Sequence, residues 1–125
     1  MRVCSEEGLE FAQEEGIRMI TADEIEEEGP EEALEALRPL LELEGPLHVS
    51  LDLDVLDPAF APAVQTPEPL GLSPRQVLKI LSGLCGPDLR SFDIVELTPG
   101  YDHGQTAILA ARLAVEVLCR ARPGG

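Results

Sequence analysis

Aromatic side chains are scarce, with three Phe, one Tyr and no Trp in 125 residues. A core must therefore rest on Leu, Ile, Val and Ala, which suffices for one small domain. No apolar run is long enough to span a bilayer and no secretory signal opens the chain, so no membrane partner is expected. Cysteine is sparse as well. Cys4, Cys85 and Cys119 form no CxxC or CxxH pattern, which argues against a zinc or redox motif. An odd, unpatterned count is expected of reduced thiols in a cytoplasmic protein, packed as small buried hydrophobes. Positive charge is the other shortage: nine Lys and Arg stand against 24 Asp and Glu, for a net charge of −15. A phosphate backbone would be repelled, so nucleic acid is not an expected partner. Residues 1–46 carry fifteen acidic and three basic groups, and the remainder nine and six. The expected reading of this bias is a solvated helix face; the alternative is a surface for cations or a basic partner.

What is present is alternation. Four strand candidates alternate with four helix candidates, the pattern of a parallel sheet flanked by helices. Met1 to Cys4 reads as a short strand. Ser5 then caps a helix that stops at Gly16, and Ile17 to Thr21 reads as a second strand. Pro30 opens a helix running to about Glu44, which Pro39 should kink or split. Leu47 to Leu56 is the third strand, and its continuous apolar character predicts burial on both faces. Residues 57–72 hold four prolines and one glycine. They form a long loop at the carboxyl end of a strand, where open α/β sheets place their ligand crevices. Ser73 and Pro74 start a helix ending near Gly83, and Ser91 to Leu97 is the fourth strand. The last helix, Gln105 to Arg120, is apolar almost all round except for Arg112 and Glu116, which predicts deep burial. Pro123-Gly124-Gly125 is expected to fray.

Acidic residues interrupt the third strand. In Ser50-Leu51-Asp52-Leu53-Asp54, side-chain alternation places Ser50, Asp52 and Asp54 on one face. Neighbouring carboxylates at the end of a buried strand repel each other and lose hydration. A divalent cation is the simplest compensation, since it takes oxygen ligands. The alternative is a pair of strand-end carboxylates that cap loop amides.

The wider segment resembles the arginase/agmatinase (ureohydrolase) family. Its signature is a Ser-x-Asp-x-Asp strand, a Pro four residues on, another Pro four later, a small residue, and a Gly after seven more. Ser50, Asp52, Asp54, Pro58, Pro62, Ala63 and Gly71 meet every fixed position. Thr66-Pro67-Glu68 and Gly71-Leu72-Ser73 are similar to the family's loop and the helix start after it. The run from Phe92 through Glu96 to Pro99 resembles its last core strand, with an acidic residue at the tip. Tyr101-Asp102-His103, followed by Thr106-Ala107, is similar to the agmatinase branch. The resemblance is specific from Pro46 to Leu118 and weaker over Met1 to Gly45. Two further family motifs, Gly-Gly-Asp-His and Asp-Ala-His-x-Asp, supply four of six metal ligands and are absent from these 125 residues. Met1-Arg2-Val3 resembles a family strand joined partway.

The resemblance implies a three-layer α/β/α parallel sheet of the arginase/deacetylase type, incomplete, with residues 1–125 as the C-terminal portion of one ureohydrolase domain. It implies a pair of manganese ions in the complete enzyme, with Asp52 bridging them and Asp54 binding one. Their bridging water, as hydroxide, would attack the carbon of a small guanidino substrate and release urea and an amine. Glu96 would take the substrate guanidinium as a planar, bidentate pair; a helix cap or surface ion pair is the alternative. On the strand pattern Glu96 shares a face with Phe92 and Ile94. Agmatinase-like chemistry, tied to polyamine metabolism, is the first expectation. Arginase, guanidinobutyrase and formiminoglutamase are alternatives of the same class, and a non-catalytic remnant or partner-dependent subunit is the alternative outside it. A homo-oligomer, trimer or hexamer, is implied too.

Asp57 precedes Pro58 and should fix the turn through backbone amides. His48 lies six residues before Asp54, about 20 Å along an extended strand, and is expected to be a buried structural histidine outside the site. His103 is a candidate proton relay at the crevice rim, although a loop-stabilising role for Asp102 and His103 is favoured.

Overall fold

A computed structural model of the chain describes residues 5–43 and 45–121. The expected strand at Met1 to Cys4, the helix end at Glu44 and the Pro123-Gly124-Gly125 tail lie outside the described residues. Helices start where side chains can take up free backbone amides. In α1, Glu6–Glu14, the Ser5 hydroxyl accepts the Gly8 N–H at 3.1 Å. A helix the sequence reading missed follows, α2, Ala22–Glu28. Its signal was Thr21-x-x-Glu24: the Thr21 hydroxyl accepts the Glu24 N–H, and the Glu24 carboxylate accepts the Thr21 N–H at 2.6 Å. The strand expected at Ile17 to Thr21 is not formed. Residues 17–20 have no regular structure, because the described sheet has two strands and neither pairs with this segment.

Helix α3, Pro30–Leu41, begins on Pro30 and holds Pro39 in its final turn without splitting. There the missing N–H and the ring bear on one carbonyl, that of Glu35 a turn back, and the helix runs on to its end. Helix α4, Pro74–Leu84, has the expected Ser73 cap, with Gln76 reaching back to the Ser73 N–H at 2.8 Å. It packs on α3 so closely that a Cβ at Gly83 would stand 2.5 Å from Leu34 Cδ1. No helix among the described residues is long and apolar enough to cross a membrane.

The two strands, β1, Leu47–Asp52, and β2, Leu89–Val95, run parallel with Leu51 beside Ile94 and Asp52 beside Val95. Val49 and Leu51 face the helices together with Phe92 and Ile94, and join a cluster that includes Val77, Leu81, Leu113 and Val117. The opposite face does not meet the expectation of burial. His48, Ser50 and Asp52, with Ser91, Asp93 and Val95, are all exposed, because no described helix covers them. His48 is therefore not buried; its side chain is 55% exposed, with Nδ1 2.6 Å from the Ser91 hydroxyl. Beside it the Ser50 hydroxyl donates to Asp93 at 2.5 Å, a second polar tie between the strands.

Helix α5, Gln105–Arg120, also departs from expectation. Thr106, Ala110, Leu113 and Val117 are buried, whereas Ile108, Val115 and Leu118 are exposed. Its composition suggested full burial, but the described elements cover only one side of it. Cys85 is buried as expected and Cys119 is exposed. At the centre lies Leu53, with no exposed surface. Replacing it by Ala leaves a cavity beside Leu51 and Leu56, and Leu53→Ala is expected to destabilise the chain by about 2–5 kcal/mol in urea unfolding; a loss near zero would show that this cluster is not the core.

Candidate functional site

The carboxyl end of β1 is shaped by the first of its two aspartates. Asp52 Oδ1 accepts the Asp54 N–H at 2.9 Å and turns the chain into a 3-10 turn, Leu53–Val55. Strand alternation stops there. Ser50 and Asp52 remain on the open face, while Asp54 is half-buried, its Oδ1 shielded from solvent and its Oδ2 accepting from the Thr66 hydroxyl. Next to it, β2 ends at Val95, and Glu96 follows with φ +66°. That left-handed backbone breaks the alternation that would have put Glu96 beside Phe92 and Ile94, and its side chain is exposed. Because the strands are parallel and Asp52 pairs with Val95, the end of β1 with Asp52 and Asp54 and the end of β2 with Glu96 lie at the same edge of the sheet.

The proline-rich loop is closed at its neck by a carboxylate. Leu56 bridges to Leu72, the Asp57 N–H donates to the Leu72 carbonyl at 3.0 Å, and the Leu72 N–H donates to the Val55 carbonyl at 2.9 Å. Asp57 accepts the Ala59 N–H on one oxygen and those of Leu70 and Gly71 on the other, at 2.8, 2.8 and 3.3 Å. This is the turn-fixing role expected of it. Leu70 is held with φ +64° and is 81% exposed. A cavity of about 590 Å³ opens beside the loop, between Arg18, Met19 and Ile20 on one side and Val55, Glu68 and Leu70 on the other.

The start of α5 meets the same loop at Ala63. Gly104, at φ +96°, offers no side chain to cap it, and Asp102 does so instead. Its carboxylate accepts the N–H groups of Gly104 and Thr106 at 2.7 and 2.8 Å and the Thr106 hydroxyl at 2.6 Å. The Thr106 hydroxyl, before the two backbone amides, holds the Asp102 carboxyl below its ordinary range. The loop-stabilising role is thus met for Asp102, and His103 stands exposed in the same turn. The sequence reading gave Thr106 no role, yet its buried oxygen also accepts the Ala63 N–H at 3.1 Å. An Asp four residues before a Thr at a helix start was the available signal.

Two carboxylates are hard oxygen donors of the kind manganese, magnesium or calcium accept. Such ions take about six ligands, and among the described residues no group of three or more His, Cys, Asp or Glu side chains is placed to hold one. The described residues therefore do not by themselves fit a metal pair.

A parallel sheet flanked by helices, with carboxylates gathered at its carboxyl end, is the α/β arrangement expected of the chain. Residues 1–119 match the Arginase family, and the chain belongs to that family. It is 43% identical over 115 residues to proclavaminate amidinohydrolase of Streptomyces clavuligerus, covering 90% of this chain and 36% of that protein. Against guanidinopropionase of Pseudomonas aeruginosa it is 44% identical over 110 residues, covering 87% and 34%. The fold superposes on agmatine ureohydrolase of Thermoplasma volcanium with a TM-score of 0.84 at 32% identity, over 96% of this chain and 40% of that one. The chain thus spans about a third of the length of the curated relatives it matches.

Two expectations follow from this geometry. A branched residue at φ +64° with its side chain in solvent has strain and little packing to lose. Leu70→Gly is expected to raise stability by about 1 kcal/mol, read as a higher urea midpoint; a lowered midpoint would mean that the side chain is needed. Asp102 is lowered from 3.8, so its contribution is present above that value and lost as pH falls through the lowered one. A carboxyl-carbon NMR titration should place its midpoint below 3.8, with the Thr106 amide moving in the same step; a midpoint at or above that value would remove the cap.

Proposed function

We propose that this chain is part of an amidinohydrolase that cleaves a carbon–nitrogen bond of a small guanidino substrate and releases urea. The observation that carries the reading is the placement of Asp52, Asp54 and Glu96 at one edge of the sheet through the β1–β2 register. In this reading Asp52 and Asp54 serve as two oxygen ligands of a metal pair, manganese by the family resemblance, and the other ligands come from outside the described residues. Glu96 takes the guanidinium, whose planar N–H donors match the two oxygens of a carboxylate. Its position next to Asp52 would put the substrate carbon near the ligand strand. The printed names of the relatives, amidinohydrolase, guanidinopropionase and agmatine ureohydrolase, support a guanidino group as the shared substrate feature. They differ in what that group is attached to, and agmatine is the substrate we would test first.

The test is made in the complete protein that contains this segment. Asp52→Asn is expected to bring urea release to background. Glu96→Gln keeps the shape and loses the charge, and is expected to raise KM for the guanidino substrate roughly ten- to hundredfold, as for a lost charge-assisted hydrogen bond. Activity unchanged by Asp52→Asn would sink the assignment.

A second reading is favoured by the open sheet face and by the exposed stripe of Ile108, Val115 and Leu118. Such surfaces seek cover, so the chain would work as a partner-dependent or oligomeric unit. Light scattering on the 125-residue chain distinguishes the two readings: a stable monomer counts against this second one.

A further inference from the structure

Among the described residues Thr106 is the only fully buried polar side chain, and its surroundings are as buried as it is: Ala61, Ala63 and Val64 are each 0–1% exposed. A hydroxyl has one hydrogen to give and two lone pairs to offer. Here the hydrogen goes to Asp102, 2.6 Å away, which turns a lone pair toward the Ala63 N–H at 3.1 Å. The Ala63 carbonyl accepts in turn the N–H of Thr98 at 2.9 Å. Thr98 lies two residues past Glu96, the residue that leaves β2 in a left-handed conformation. A residue bearing a Cβ keeps such a backbone only when its surroundings impose it. The run from Asp102 through Thr106 and Ala63 to Thr98 is a polar tie that reaches this exit from the start of α5.

We propose that Thr106 is a positioning residue for Glu96: its buried hydroxyl couples the start of α5 to the Ala63 segment, which holds the turn after β2 and so fixes where the Glu96 carboxylate stands. The functional meaning rests on Glu96 taking the guanidinium, whereas the coupling itself does not. Methyl packing alone would make Thr106 a core residue with no influence on Glu96. The hydroxyl bond to Asp102 alone would make it a helix cap. The further link to Ala63 and Thr98 is what carries its effect to the turn after β2.

The experiment uses the full 125-residue chain, isotopically labelled, and needs no substrate. Thr106→Val keeps the shape and removes the hydroxyl; Thr106→Ser keeps the hydroxyl. In Thr106→Val the Thr98 amide is expected to exchange with solvent about tenfold faster or more, the size of one lost hydrogen bond. The Cα and Cβ shifts of Glu96 should leave the left-handed range at the same time. Thr106→Ser should restore both. The proposal is overturned if Thr106→Val disturbs Ala63 and the first turn of α5 but leaves Thr98 and Glu96 unmoved, or if Thr106→Ser fails to restore them. Should Thr106→Val not fold, Asp102→Asn weakens the acceptor of the hydroxyl and should speed Thr98 exchange in the same direction by a smaller factor; no change there overturns the proposal equally. Failure of the guanidino reading shows in the Glu96→Gln kinetics and leaves these amide signals untouched.

Discussion

The parallel pairing of β1 with β2 is the constraint on which the rest depends. A parallel pair ends both strands at the same edge, so whatever follows each strand is brought together there without further design. The register is fixed from below. Leu51 and Ile94 are neighbours on the face turned to the helices, and Leu53 drops into the core directly after the strand. A slip of one residue would exchange Leu51 for Asp52 on the apolar face, at the cost of burying a charge. Hydrophobic burial on one side of β1 thus decides which carboxylates stand at its end.

Once that edge exists, carboxylates shape it. Asp52 turns the chain out of the strand, Asp57 closes the proline-rich loop at its neck, and Asp102 opens the last helix. Each accepts N–H groups that irregular backbone leaves unpaired, and a charged acceptor makes these bonds stronger than neutral ones. A segment with four prolines lacks four of the N–H groups that regular pairing would use. Side-chain acceptors are then the available means of holding it in place. The thin aromatic supply points the same way, since small apolar residues such as Ala61, Ala63 and Val64 fill space but orient nothing. Orientation at this edge comes from polar ties.

Local chemistry was legible in the sequence, and non-local chemistry was not. Ser5, Ser73 with Pro74, and the bounds of the last helix were read correctly, because a cap and the first turn it serves are neighbours in the chain. The Asp57 turn was readable for the same reason. The apolar run at Ile17 to Thr21 has the pattern of a strand, although the capping pair that starts at its last residue, Thr21 with Glu24, marks a helix. Burial was overestimated for the outer face of β1, for His48 and for the outer side of α5. An apolar pattern says that a surface is suited to cover, not that cover is supplied by the described residues. The strand positions of Asp54 and Glu96 were taken from alternation. A 3-10 turn and a left-handed residue ended that alternation, and neither leaves a mark in residue type at those positions. Asp52, Asp54 and Glu96 could be named from the signature; their meeting at one edge needed the register.

The charge of that edge limits what it can receive. Arginine and lysine form their ion pairs elsewhere: Lys79 with Glu31 at 3.0 Å, Arg120 with Glu116 at 2.7 Å, Arg112 with Glu116 and Arg38 with Glu35. All of these lie on helices, on surfaces where such pairs are worth little. The sheet edge keeps Asp52 and Asp54 after one strand and Glu96 after the other, in a chain of net charge −15. An anionic ligand would meet like charge there and have no fixed cation among these residues to receive it, whereas a cation gains from every carboxylate it approaches. A guanidinium and a divalent ion are both cations, and they ask for different geometry. The ion takes oxygens converging on a point, while the guanidinium takes two oxygens in a plane. In the proposed reading Asp52 and Asp54, two residues apart around a tight turn, meet the first demand together with ligands from outside the described residues. Glu96, standing alone at the end of the next strand, suits the second. Under the proposed reading, the division of roles among these carboxylates follows from how each strand ends.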